Sequence, residues 1–255
     1  MRAFDLAALV AAGAGAGVMN ALAGGGTLLS FPVLVLLGVP AKIANATSTV
    51  ALVPGALSSF AGYWPEVRSH RKWLAVLLVP SLVGGALGSL LLLLTPERAF
   101  ARLAPWLVLF ATALFAWQSR RGSAGGDDEP PDPAVRGSRG LAVLAQLGVA
   151  LYGGYFGAGI GILMLAILAA LGLSNIHAMN GLKNFFGSCI NGVAAAIFLA
   201  SGTVDWRSGL PLLVGAVAGG YAGARFGRRI GRDRARRAVI LVGLLVTVIL
   251  LTQQI

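Results

Sequence analysis

The sequence predicts an all-α polytopic membrane protein made of two homologous, inverted repeats of about five helical segments each, with broken or short helices near the midplane. Three observations predict it. Apolar residues make up 57% of the chain and charged residues 11%, with a mean hydropathy of +0.82, outside the usual range of soluble domains. Uncharged runs recur, the clearest being the 22 residues from Trp73 to Leu94, long enough to cross about 30 Å of hydrocarbon. Finally, a glycine break inside an apolar stretch, Asn20-Ala-Leu-Ala-Gly-Gly-Gly-Thr27, returns in altered form as Gly153-Gly-Tyr-Phe-Gly-Ala-Gly-Ile-Gly161. Matched breaks in two halves of a membrane chain are a signature of a substrate site.

In chain order, the apolar run after Arg2 resembles a signal peptide, but its counterpart in the second half marks it as a retained segment. After the first break, Thr27 to Leu37 has about a dozen residues, as does Ile160 to Leu171, whereas a straight span needs about twenty. Both read as half-helices that begin at the glycines; irregular backbone at membrane depth is tolerated only when buried in protein or lining a wet cavity. The turn Gly38-Val-Pro40 leads to a helix with a polar start, Ala44-Asn-Ala-Thr-Ser-Thr49, followed by the uncharged runs Trp73 to Leu94 and Leu103 to Ser119. The Gly-, Pro- and acid-rich stretch 120–139 is a solvated linker between repeats at 1–119 and 140–255. The second repeat continues through Gly172-Leu-Ser174 to Ala178-Met-Asn-Gly-Leu-Lys-Asn184, then to runs ending at Val204 and Ile255.

A shift of 134 residues places Gly25 on Gly159, Gly38 on Gly172 and Ala44 on Ala178, and a shift of 131 places Pro80, Gly84 and Gly88 on Pro211, Gly215 and Gly219. Loop charges orient the halves. Arg68, Arg71 and Lys72 make one loop basic while its counterpart near Asp205 and Arg207 is neutral; the next loop reverses the contrast, Arg98 and Arg102 with Glu97 against the seven arginines of Arg225 to Arg237. Such a swap is expected when each half has an odd number of crossings and the second is inserted upside down. The linker and both strongly basic loops then face the cytoplasm and both termini lie outside.

The net charge of +11 is explained by the positive-inside bias rather than by nucleic acid, since the arginine cluster lies between apolar segments. Anionic lipid headgroups are its expected partner. A single cysteine, Cys189, leaves no internal disulfide or thiolate cluster; it reads either as a small packing residue or as a reactive thiol. No nucleophile elbow, His-Glu-X-X-His, phosphate loop or Cys-X-X-Cys is present, so the chain is not expected to be an enzyme and no cofactor is expected.

Candidate binding residues lie at the breaks and on the helices after them. Helix N-termini present free N–H groups and a positive dipole end, and glycine lets a ligand approach the backbone. Gly24, Gly25, Gly26 and Thr27 fit, as do Gly157, Gly159 and Gly161; tight helix crossing is the other reading of these glycines. In the second half Asn180, Lys183, Asn184, Ser188 and Asn191 form a polar stripe at three- and four-residue steps. An ammonium in the membrane needs a partner, and none of the nine acids lies within an apolar segment. Either an anionic substrate supplies that partner or Lys183 snorkels to the interface. In the first half Thr49 takes the position of Lys183, beside Asn45, Thr47 and Ser48; these groups can bond oxyanions or cap the helix after Pro40. Lys42 and His177, at the turns before these helices, read as interfacial.

Gly24-Gly-Gly-Thr-Leu-Leu-Ser-Phe-Pro32, Gly38-Val-Pro-Ala-Lys-Ile-Ala-Asn-Ala-Thr-Ser48, Gly157-Ala-Gly-Ile-Gly161 and His177-Ala-Met-Asn-Gly-Leu-Lys-Asn184 together resemble the TauE/SafE sulfite exporter family over nearly the whole chain. The resemblance implies a multi-pass protein of the bacterial inner membrane that moves sulfite, sulfoacetate or a related sulfur-containing anion. Members differ in substrate and direction, so import of another small anion remains an alternative, as does a membrane-embedded sulfur-handling enzyme or assembly factor acting through Cys189. Export is favourable on its own, since moving one negative charge out of a cell with a negative interior gains about 2.3 kcal/mol per 100 mV. Alternating access by rocking one repeat against the other is the expected mechanism. A small anion and the bilayer are the expected partners, with a homodimer left open.

Overall fold

The structure is a computed structural model that describes residues 2–22, 25–61, 71–120, 139–173, 175–230 and 232–252. Gly24, the linker stretch 121–138 and the first basic loop up to residue 70 lie outside the described residues, as do the side chains of His177 and of the arginines from Arg225 to Arg237. Among the described residues there are ten helices and no strand: α1 (Ala3–Leu22), α2 (Thr27–Leu36), α3 (Ala41–Ala61), α4 (Arg71–Leu94), α5 (Glu97–Arg120), α6 (Arg139–Tyr155), α7 (Ile160–Ala170), α8 (Ile176–Ala200), α9 (Trp206–Ile230) and α10 (Arg232–Thr252). The stretch Arg225 to Arg237, expected as a loop, has helical backbone on both sides of residue 231. Four spans, Ala3–Ala21, Arg71–Leu94, Glu97–Trp117 and Ala178–Ala200, are long and apolar enough to cross a membrane.

The short helices begin at the breaks. α2 starts behind Gly26, and α7 starts behind Gly159, whose φ of 77° suits glycine and not a residue with a Cβ. With ten and eleven residues, each is only about 15 Å long at about 1.5 Å per residue, half the thickness of the hydrocarbon.

Packing interleaves the two series of five. α1 packs chiefly on α9, and α6, the first helix of the second series, packs chiefly on α4. Exchanging α1–α5 with α6–α10 turns each of these contacts into the other, and likewise α3 on α9 into α8 on α4, α1 on α2 into α6 on α7, and α2 on α3 into α7 on α8. α5 pairs with α10, and α3 with α8. Two mixed groups result, α1–α2–α3–α9 and α4–α6–α7–α8, meeting along the α3/α8 seam.

Glycine makes the two main crossings close. Gly13 faces Leu212 and Ala216, Gly17 faces Ala216 and Gly220, and Gly215 and Gly219 face Val10 and Ala14, so α1 and α9 run in the same direction with backbone against backbone. Gly84 faces Leu147 and Leu151, and Gly88 faces Leu151 and Tyr155, so α4 and α6 do the same. Small residues are the usual means of close helix approach in a membrane, where van der Waals contact replaces the hydrophobic effect as the driving force. α3 runs with α9, since the backbone N–H of Asp205 donates to Thr47 Oγ1 at 2.9 Å and Gly220 meets Gly55 further on.

One reciprocal cap ties α3 to α4 and α5. The Lys42 backbone N–H, at the open N-terminus of α3, donates to both carboxylate oxygens of Glu97 at 3.2 Å. Its ammonium donates to the carbonyls of Leu93 and Thr95 at the C-terminal end of α4. An acid at a helix N-terminus and a cation at a C-terminus each oppose the local dipole end. Around this corner Phe31, Phe100 and Phe156 are fully buried and meet at ring-centroid distances of 5.4 to 6.4 Å.

A methyl group at residue 219 would collide with the Ala14 backbone, whereas one at residue 148 of α6 would meet nothing within 4 Å. Gly219→Ala should therefore destabilise the protein by about 1–3 kcal/mol or more, and Gly148→Ala should be neutral or stabilising by up to about 1 kcal/mol; thermal unfolding in detergent reads both.

Candidate functional site

The two breaks and the two polar helices border one cavity of about 630 Å³, counted with its open mouth. The first half contributes Asn20 of α1, Gly25 of the break, Thr27 at the start of α2, and Thr49, Leu52 and Ala56 along one face of α3. Steps of three and four residues put these last three on one stripe. The second half contributes Gly157 of its break, Ile160 and Gly161 at the start of α7, and Lys183, Asn184, Gly187, Ser188 and Asn191 of α8. The cavity thus lies on the α3/α8 seam, with the N-terminus of a short helix on each side.

Its field is positive. Each helix N-terminus carries the equivalent of about half a positive charge. Lys183 is 6% exposed, and its ammonium donates to Asn180 Oδ1 at 3.2 Å. No carboxylate is among the described lining residues. Lys183 is thus buried within the helix packing rather than extended along the outer surface of α8.

Backbone groups at the breaks are held by side chains. Asn20 Oδ1 accepts from the N–H groups of Gly25 and Gly26 at 3.0 and 2.8 Å. At the second break Tyr152 donates its hydroxyl proton to the Ala158 carbonyl at 2.8 Å, and Asn45 Nδ2 donates to the Tyr155 carbonyl at 2.9 Å. A Cβ at Gly157, whose φ is 81°, would point toward the Asn191 side chain and the Thr27 hydroxyl.

Seven sequence-predicted residues meet in the cavity: Gly25, Thr27, Thr49, Gly157, Gly161, Lys183 and Asn184. Six others lie near it without lining it. Gly26 is engaged with Asn20, Gly159 packs on Ala111 and Leu114 of α5, and Asn180 supports Lys183. Asn45, Thr47 and Ser48 are fully buried and bonded elsewhere, to the Tyr155 carbonyl, the Asp205 N–H and the Ser30 hydroxyl. None caps α3, whose N-terminus is held by Glu97. Thr49 donates its proton to the Asn45 carbonyl at 2.9 Å, so it faces the cavity with lone pairs and not, as a donor set would need, with a proton.

Residues 9–250 match the family described as Sulfite exporter TauE/SafE. The chain belongs to the TauE/SafE family. Two relatives of this family member extend the comparison. It is 28% identical over 245 residues to a probable membrane transporter protein of Haemophilus influenzae, covering 95% of this chain and 92% of that one. It is 26% identical over 207 residues to a probable membrane transporter protein, ORF9, of a Sinorhizobium species, covering 80% and 76%. No solved structure matches.

Asn20, which reasoning from the sequence left out of the site, is the side chain that fixes the first break of this TauE/SafE protein. Its position four residues before the glycine run, as the one polar side chain at the end of an apolar segment, was the available signal. Asn20→Ala leaves two N–H groups without an acceptor, so the protein should lose about 2 kcal/mol of stability, read as a lower unfolding midpoint, and any anion binding at the cavity should fall with it.

Proposed function

We propose that this TauE/SafE family member is a secondary transporter that exports a small sulfur-containing oxyanion, sulfite or a small organosulfonate, across the bacterial inner membrane. One observation carries the reading: a buried lysine and the N-termini of two short helices border the same cavity on the seam between the helix groups. An anion is the ligand such a field selects. The inner membrane is favoured because the spanning candidates are helices, whereas outer-membrane proteins of this kind are barrels.

The repeats are read as inverted. α1, α3 and α9 share one direction, and the C-terminal ends of α4 and α6, together with the turn between α8 and α9, gather at the N-terminal end of α3, through Lys42, Asn45 and Thr47. Helices in matching places of the two series therefore run oppositely. Because each series lends its fourth helix to the other, the bodies that rock are the mixed groups α1–α2–α3–α9 and α4–α6–α7–α8, and not the two repeats themselves. Their seam passes through the cavity, so tilting one group on the other opens it to one side at a time. The membrane potential drives an anion outward without a coupling ion.

Cys189 is half-buried and is not among the residues bordering the cavity, which favours transport over thiol chemistry. In proteoliposomes, Lys183→Met should cut sulfite flux by at least about tenfold, the equivalent of one charge-assisted hydrogen bond, without changing the unfolding midpoint by much. Undiminished flux would remove Lys183 from the site. Cys189→Ser should transport sulfite as the parent protein does; loss of flux in this variant would revive the thiol reading. Flux under imposed potentials of either sign gives the direction.

A further inference from the structure

Ser188 differs from five other buried hydroxyls of the helices. Ser30, Thr49, Ser81, Thr112 and Thr247 each donate to the carbonyl four residues back, the local solution open to any helical serine or threonine. The Ser188 hydroxyl makes no such bond to the Asn184 carbonyl. Its Oγ is buried with no hydrogen-bond partner among the described residues, the residue is 7% exposed, and it borders the cavity. An unsatisfied buried hydroxyl is destabilising, so it marks a place where something else is to be bonded.

We propose that Ser188 donates a hydrogen bond to an oxygen of the bound oxyanion and is a specificity-determining residue of the site. The proposal rests on the oxyanion reading above. Lys183 and the helix N-termini attract any small anion, because charge acts without direction. A hydroxyl donor is directional, and it selects an anion that carries oxygens at the right place. Ser188 lies five residues beyond Lys183, about 7.5 Å along the helix axis, while the Lys183 ammonium is turned back toward Asn180. Charge and directed donor therefore sit at different levels of α8. Thr49 and Ser48 cannot take over this role, since their protons are engaged within the protein: Thr49 donates to Asn45, and Ser48 shares a hydrogen bond with Ser30, whose own proton goes to Gly26.

Calorimetric titration of the purified full chain with sodium sulfite, alongside thermal unfolding without ligand, tests this. Ser188→Ala should raise the sulfite Kd about tenfold, the effect of one hydrogen bond to a charged group. The ligand-free variant should be as heat-stable as the parent or more so, since the unsatisfied hydroxyl is gone. A serine with a purely structural role would do the opposite, lowering heat stability and leaving affinity alone. Ser188→Cys, a near-isostere with a weak donor, provides the same reading should the alanine variant not fold. Sulfite affinity unchanged in these variants overturns the role of Ser188. With Lys183→Met in parallel, the two claims separate. Lost binding in Lys183→Met but parent-like binding in Ser188→Ala rejects Ser188 alone. Parent-like binding in both, or a parent protein that binds neither sulfite nor thiosulfate, rejects the oxyanion site and Ser188 with it.

Discussion

A helix broken inside an apolar bundle exposes N–H and C=O groups that lipid cannot satisfy, and the region around the cavity is organised by how two such breaks are resolved. At the first, one side chain suffices: Asn20 Oδ1 takes the N–H groups of Gly25 and Gly26. At the second the solution is distributed. The Gly157 N–H turns back to the Tyr152 carbonyl, the Tyr152 hydroxyl reaches the Ala158 carbonyl, and Asn45, from the other half of the chain, supports the Tyr155 carbonyl. The breaks match in place and differ in chemistry.

The difference follows from helix crossing. A shift of 134 residues puts Gly154 on the position of Asn20, and the backbone of Gly85 lies directly against Gly154. No asparagine fits there. The close α4–α6 crossing, which binds the fourth helix of one series to the first helix of the other, thus forces the second break to borrow its support from Tyr152 and Asn45. Interleaving and site construction are one constraint seen twice: the helix that closes the crossing leaves no room for a counterpart of Asn20, and the side chains at the second break serve carbonyls instead, Tyr152 from α6 itself and Asn45 from α3 across the seam.

Much of this was legible in the sequence. Apolar runs set the helical class, and the glycine breaks gave the starts of α2 and α7 at Thr27 and Ile160, with the ends differing by one residue from those expected. Glycine's two readings, tight crossing and site, fall at different positions: Gly13, Gly17, Gly215 and Gly219 serve crossings, while Gly25, Gly157 and Gly161 border the cavity. The azimuth of each polar residue was less legible. Asn45, Thr47, Ser48 and Thr49 are nearly consecutive, and a helix turns about 100° per residue, so they cannot all face one cavity; Asn45 and Thr49 share the stripe of Leu52 and Ala56, but Asn45, one turn earlier, bonds the Tyr155 carbonyl and only Thr49 borders the cavity. Which long helices pair was hidden as well. Glycine spacing shows that a helix has a close face but not whose backbone fills it, and the α1–α9 contact spans nearly the whole chain.

The inequality of the two halves has a mechanical consequence in the transport reading. Thr49 and Lys183 occupy matching places, yet one offers lone pairs and the other a positive charge. Lys183, Asn184, Ser188 and Asn191 all belong to α8, and Gly157 and Gly161 to the same helix group. The charge and most polar contacts therefore ride on α4–α6–α7–α8. In that reading an anion is held chiefly by this group, while α1–α2–α3–α9 contributes the N-terminus of α2, Asn20, Thr49 and an apolar patch, Leu52 and Ala56, that closes over it. Such a division suits a carrier: the binding energy stays on one side of the seam while the other side moves, so opening the cavity to either face does not require the anion to be released first.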